Sequence, residues 1–144
     1  LRRSSVILAA VCVGLLLIGC SCASVNLNII PNPVVFQFNQ FEQTVTVEIR
    51  TSGFGKLVLD EALVAVYDDE DNEVWSKVVD IGASIPFVVP GIKQSFEQTV
   101  LLPDEYHYVT PELYEEQLKG REFRLEIVLT GSKTMQTTAQ IRFE

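Results

Sequence analysis

Thr44-Val45-Thr46-Val47-Glu48-Ile49-Arg50 alternates polar and apolar side chains without a break. Successive side chains of an extended chain point to opposite faces, so Val45, Val47 and Ile49 share one face and Thr44, Thr46, Glu48 and Arg50 the other. That pattern predicts a half-buried antiparallel strand. The same period recurs at Phe123, Leu125, Ile127 and Leu129 against Glu122, Arg124 and Glu126, and at Val34, Phe36 and Phe38 against Val35 and Gln37. Met135, Ala139, Ile141 and Phe143 mark a last strand after the turn Gly131-Ser132.

Working outward, Ser52-Gly53-Phe54-Gly55 has the composition of a turn. Leu57 to Tyr67 is apolar on both faces around Leu63 to Val66, which predicts a central strand. Asp68-Asp69-Glu70-Asp71-Asn72 is expected as a polar hairpin loop, with Val74 to Val79 returning. Ile81 to Gly91, which carries Gly and Pro, is expected to cross over before a strand at Ile92, Phe96 and Val100. A single helix interrupts. Thr110 can cap it, Pro111 suits its first position and Gly120 its exit. Leu113, Tyr114 and Leu118 are expected on one face, and Glu115 and Lys119 stand at i,i+4.

These elements predict a mainly β fold: a single Greek-key immunoglobulin-like β-sandwich of about seven strands, with one short helix before the last two. The Cys…Trp…Cys hallmark of true immunoglobulin domains is absent, and Trp75 follows the acidic hairpin instead. From Thr44 to Phe143 the strand-helix-strand-hairpin ending is also loosely similar to the water-stress domain of late-embryogenesis-abundant proteins. The likeness is one of layout, and Arg50-Thr51-Ser52-Gly53 stands where that family commonly has Asn-Pro. No functional residue follows from it.

The chain opens Leu1-Arg2-Arg3-Ser4-Ser5 and continues with an uncharged apolar run from Val6 to Gly19. Basic residues, such a run and small residues after it are the pattern of a secretory signal peptide. A spanning helix needs ~20 apolar residues, more than this run supplies, which disfavours an uncleaved membrane anchor. Leu17-Ile18-Gly19-Cys20 resembles the lipobox of bacterial lipoproteins. The resemblance implies that the Cys20 thiol receives a diacylglycerol and that the peptide is cut just before it. A thiol suits this transfer because it is strongly nucleophilic. It implies three segments: a lipoprotein signal peptide at 1–19, a lipidated tether at 20–33 and the β-sandwich domain at 34–144. Ser21, in place of Asp, implies outer-membrane sorting where the organism has two membranes. The expected location is a bacterial cell membrane, with the domain lipid-anchored and facing the periplasm or the exterior.

The 144 residues include 11 basic and 19 acidic side chains, for a formal charge of −8. Cleavage before Cys20 would remove Arg2 and Arg3 and no acid, so 11 − 2 = 9 bases would face 19 acids, a charge of −10. An acidic surface argues against nucleic-acid binding, which replaces phosphate counterions with basic groups. At 47% hydrophobic the chain is no disordered polymer. Of the three cysteines, the resemblance implies that Cys12 leaves with the signal and Cys20 takes lipid, which would leave Cys22 with no partner for a disulfide in the domain.

Candidate chemistry is sparse. Asp68, Asp69, Asp71 and Glu73 could offer oxygens to calcium, but the spacing departs from an EF-hand: counting from Asp69, position six is Val74 rather than Gly. The competing account is a solvated hairpin tip whose charges block edge pairing. His107, in Asp104-Glu105-Tyr106-His107-Tyr108, is the single histidine and has neither a nucleophile motif nor a second histidine for zinc. Paired acids of the glycosidase kind need a cleft that a small sandwich lacks by default. No cofactor is implied and no enzyme is expected. The expected function is binding or assembly of a partner, an envelope protein, at the membrane, with calcium binding at the Asp68–Glu73 hairpin as the alternative. Tyr67, Trp75, Phe87, Tyr106, Tyr108 and Tyr114 are the aromatic candidates for a partner surface, against ordinary core packing.

Overall fold

Residues 23–87 and 91–144 are described by a computed structural model. Its strands are β1 (Ala23–Ile30), β2 (Val34–Phe36), β3 (Glu42–Gly53), β4 (Gly55–Tyr67), β5 (Glu73–Phe87), β6 (Ile92–Leu101), β7 (Glu122–Gly131) and β8 (Met135–Phe143). A 3-10 turn at Asp104–Tyr106 and one helix, α1 (Pro111–Gln117), lie between β6 and β7. The strands form two sheets, in the orders β1-β3-β6 and β2-β8-β7-β4-β5. The chain changes sheet between β1 and β2, β2 and β3, β3 and β4, β5 and β6, and β6 and β7, the Greek-key winding of a mainly β sandwich.

The period-two runs become the inner faces. Val45, Val47 and Ile49 of β3 and Val100 of β6 are buried against Leu57, Leu59, Val64 and Val66 of β4 and Leu125, Ile127 and Leu129 of β7. Each such side chain contributes about 1.5–3 kcal/mol relative to exposure. β4 is central in its sheet, between β7 and β5, which accounts for its two apolar faces: Ala65, on the side away from the sandwich core, is also buried. β2 runs parallel to β8, with Phe36 beside Phe143.

Three expectations change. Ala23–Ile30, inside the stretch expected as tether, is β1: Val25, Leu27 and Ile29 alternate with Ser24, Asn26 and Asn28, and the strand pairs antiparallel with β3 from Ala23↔Gly53 to Ile30↔Thr46. Its asparagines lie on the solvent face, where their polarity is no obstacle to pairing. With β1 the number of strands among the described residues rises to eight. Secondly, Ile81–Phe87 is not a crossover but the continuation of β5 beside β4. Gly82, at φ +58°, takes the left-handed conformation where the register shifts between Leu59 and Glu61, and Pro86 is tolerated because β5 is an outer strand. Thirdly, Tyr114 and Leu118 of the helical region are buried, but Leu113 is 40% exposed. One residue turns a helix by about 100°, which carries Leu113 off the i,i+4 face. The Thr110 cap, accepting from the Leu113 amide at 3.3 Å, and the Glu115–Lys119 pair at 3.6 Å are as expected.

Candidate functional site

Cys20, the expected lipid acceptor, and Cys22 lie outside the described residues. Among the described residues, no helix is long and apolar enough to cross a membrane.

The acidic hairpin joins β4 to β5. Asp68 turns its carboxylate inward on the loop: one oxygen accepts from the amides of Glu70 and Asn72, both at 2.9 Å. The Asn72 backbone bond is the largest of the influences that hold Asp68 below the ordinary carboxylate range. Asp69 receives two hydrogen bonds from the Arg121 guanidinium, at 2.9 and 2.7 Å. That fork lowers the Asp69 pKa and raises that of Arg121. Asp71 accepts from Arg124 at 2.7 Å. Both guanidiniums also sit over aromatic rings, Arg121 5.0 Å from the Phe123 centroid and Arg124 4.7 Å from that of Tyr67. The hairpin is thus clamped to β7 and the turn before it. Glu73 stands exposed at the start of β5. The carboxylates splay onto separate partners, and no three His, Cys, Asp or Glu side chains among the described residues are grouped to hold a metal.

His107 stacks on Phe41 with centroids 3.9 Å apart, and its Nε2 lies 2.8 Å from the Leu102 carbonyl. Asp104 is 3.5 Å from Nδ1. Both ring nitrogens therefore face groups that orient the imidazole, and the ring serves as packing at a loop.

The six aromatic candidates are packing residues as well. Tyr114 is buried, with its ring edge-on to Phe38 at 5.7 Å. Tyr106 meets Phe123 edge-on at 5.3 Å, and burial, with Glu105 adding to it, raises the pKa of its hydroxyl. Trp75, Phe87 and Tyr108 are partly buried against the core, and Tyr67 lies half-buried under Arg124. The exposed apolar side chains are different ones. Phe54 is 81% exposed at the tip between β3 and β4, and Val109 84%. Phe54 has no signal in the hydropathy pattern. Its flanking glycines, Gly53 at φ +113° and Gly55 at φ +106°, are the one feature that marks it, because they make a turn that holds the ring away from both sheets.

The two ends of the sandwich differ in charge. Beside Phe54 lie Lys56 and the β7–β8 turn with Lys133; Ser132 of that turn bonds Val58. Arg50 and Lys93 are register partners on the outer face of the three-stranded sheet, and both approach Glu48, at 4.0 and 3.0 Å. Ser24, Asn26, Ser52 and Gly91 complete a shallow cleft there of about 270 Å³. The acidic hairpin, α1 and the 3-10 turn lie at the other end.

No protein-family model matches the sequence, and no curated protein matches it. Solved structures align with most of the chain at low identity. β-Glucuronidase 3 of Bacteroides uniformis is 16% identical over 83% of this chain and 12% of its own, with a TM-score of 0.42. The sporulation control protein Spo0M of Bacillus subtilis is 15% identical over 85% of this chain and 49% of its own, at 0.45. The alkylpurine DNA glycosylase AlkC of Pseudomonas fluorescens is 11% identical over 83% and 30%, at 0.41. The chain therefore spans less than half the length of each.

Proposed function

We propose that the protein is a lipid-anchored component of a bacterial cell envelope whose sandwich domain binds or assembles a partner without catalysis. The observation that carries the proposal is Leu17-Ile18-Gly19-Cys20 at the end of an apolar run preceded by Arg2 and Arg3. The start of β1 at Ala23 supports it, since a domain that begins three residues after the acceptor is held close to the bilayer. Two or three acyl chains at Cys20 anchor stably where one does not. The anchor raises the domain's effective concentration at the surface, so modest contacts suffice to hold a partner. Ser21 favours an outer membrane where there is one. The strand order supports an immunoglobulin-like sandwich, with β3 beside β6 in one sheet and β4, β7 and β8 adjacent in the other. The layout likeness to the water-stress domain adds no residue role.

Metabolic labelling with a lipid analogue tests the anchor. The wild-type chain takes up label and the Cys20→Ala variant does not, remaining unprocessed or unanchored. Label on Cys20→Ala would refute the proposal.

A further inference from the structure

From the register, we infer that the Phe54 end of the sandwich is a second membrane contact, a seat on an anionic lipid surface that fixes the domain's orientation. The inference rests on lipidation at Cys20. Ala23 pairs with Gly53, so the chain leaves the domain beside the β3–β4 tip. From Cys20 to Ala23 an extended chain reaches about 10 Å. A lipidated Cys20 therefore brings this end, and no other, against the headgroups.

What stands there fits a bilayer surface. Phe54 is the apolar tip, 81% exposed and presented by two glycines in the left-handed region. An aromatic ring of this kind lodges at the boundary of headgroups and acyl chains. Around it the outermost charged groups are cations: Lys56 on the outer face of the five-stranded sheet, Lys133 in the β7–β8 turn, and Arg50 with Lys93 on the opposite outer face. The first carboxylates along the strands are Glu48, which pairs with Arg50 and Lys93, then Asp60, Glu61 and Asp80 further up. The acidic hairpin and α1, with Asp68 to Glu73 and Glu112 to Glu116, lie at the far end. A negative lipid surface attracts the first group and repels the second, so the field and the tether select the same orientation.

The test uses the full chain, lipidated in the producing bacterium and bound to vesicles of equal parts phosphatidylcholine and phosphatidylglycerol, the former brominated in its acyl chains. Phe54→Trp in a Trp75→Phe background places the only indole at the tip. Its emission is expected to shift to the blue and to be quenched by the brominated lipid. The wild-type indole, Trp75 at the far end, is expected to escape quenching. Lys56→Gln with Lys133→Gln is expected to lower the quenching at position 54 several-fold. Hydrogen exchange on the unsubstituted chain supplies the same information without a variant, as vesicle-dependent protection over residues 50–56. An unquenched position 54 and unprotected 50–56 in protein that floats with the vesicles overturn the inference and leave the anchor standing. Protein that does not float, with an intact mass showing no acyl chains, overturns both.

Discussion

The hydroxyl of Tyr114, on α1, donates to the carbonyl of Phe36, on β2, at 3.0 Å across 78 positions of sequence. It also lies 3.1 Å from the carbonyl of Glu144, whose amide bonds the same Phe36 carbonyl at 3.0 Å. One side chain thus joins the helix to the first strand of the large sheet and to the residue that follows β8. Burial, with Glu144 adding to it, raises the Tyr114 pKa, so the hydroxyl stays a donor throughout the physiological range.

Tyr114→Phe keeps the ring against Phe38 and removes the donor. Because Phe36 retains its bond from the Glu144 amide, the expected cost is about 0.5–1.5 kcal/mol. Tyr114→Ala also empties a core site and is expected to cost ~3–5 kcal/mol. Urea unfolding measures both, with the slope m unchanged for the conservative variant. Equal losses for the two variants would show that the ring contributes nothing.

The clamp between Asp69 and Arg121 has a pH signature. The guanidinium fork holds the folded-state pKa of Asp69 below the ordinary 3.8. A carboxylate ionised more readily in the folded than in the unfolded chain contributes stability that is full above pH 3.8 and is lost as the pH falls through the lowered value. Asp68, lowered first by its bond from the Asn72 amide, acts in the same direction. The melting-temperature gap between wild type and Asp69→Asn is therefore expected to be widest near neutrality and to close on acidification. Melts taken from neutral pH to below 3.8 check this, and a gap that widens with acid contradicts it.

Gly131 ends β7 where it passes β4. A Cβ at this position would overlap the Val58 carbonyl oxygen. Gly131→Ala therefore has to push the two strands apart, although alanine ordinarily suits a strand no worse than glycine. The variant is expected to lose more stability than Ile127→Val in the buried middle of the same strand, for which about 0.5–1.5 kcal/mol is typical. Denaturant unfolding of the pair ranks them.

At the hairpin tip, calcium would have to displace Arg121 from Asp69, Arg124 from Asp71 and two backbone amides from Asp68. Millimolar calcium is accordingly expected to leave the melting temperature and the titration heat of the wild-type chain unchanged. A rise in melting temperature would restore the cation account of the hairpin.

The sequence by itself determines the fold class. Val45, Val47 and Ile49, and Phe123 to Leu129, could reach a common core only as period-two strands, and the Thr110-Pro111 cap is a local signal complete within one turn of helix. Local patterns failed where pairing is settled at a distance. Asn26 and Asn28 look like loop residues until β3 supplies the register that turns them to solvent, and Gly82 and Pro86 look like breaks until an outer-strand position makes both harmless. The functional surface is the extreme case. The proposed lipid acceptor is read from a contiguous motif, whereas the fate of the acidic cluster was settled by Arg121 and Arg124, 52 and 53 positions away. Whether an aromatic ring is core or surface depends on which strands lie across from it, so Tyr114 went inside and Phe54 stayed out. Periodicity is a property of neighbours in the chain, and exposure is a property of neighbours in space.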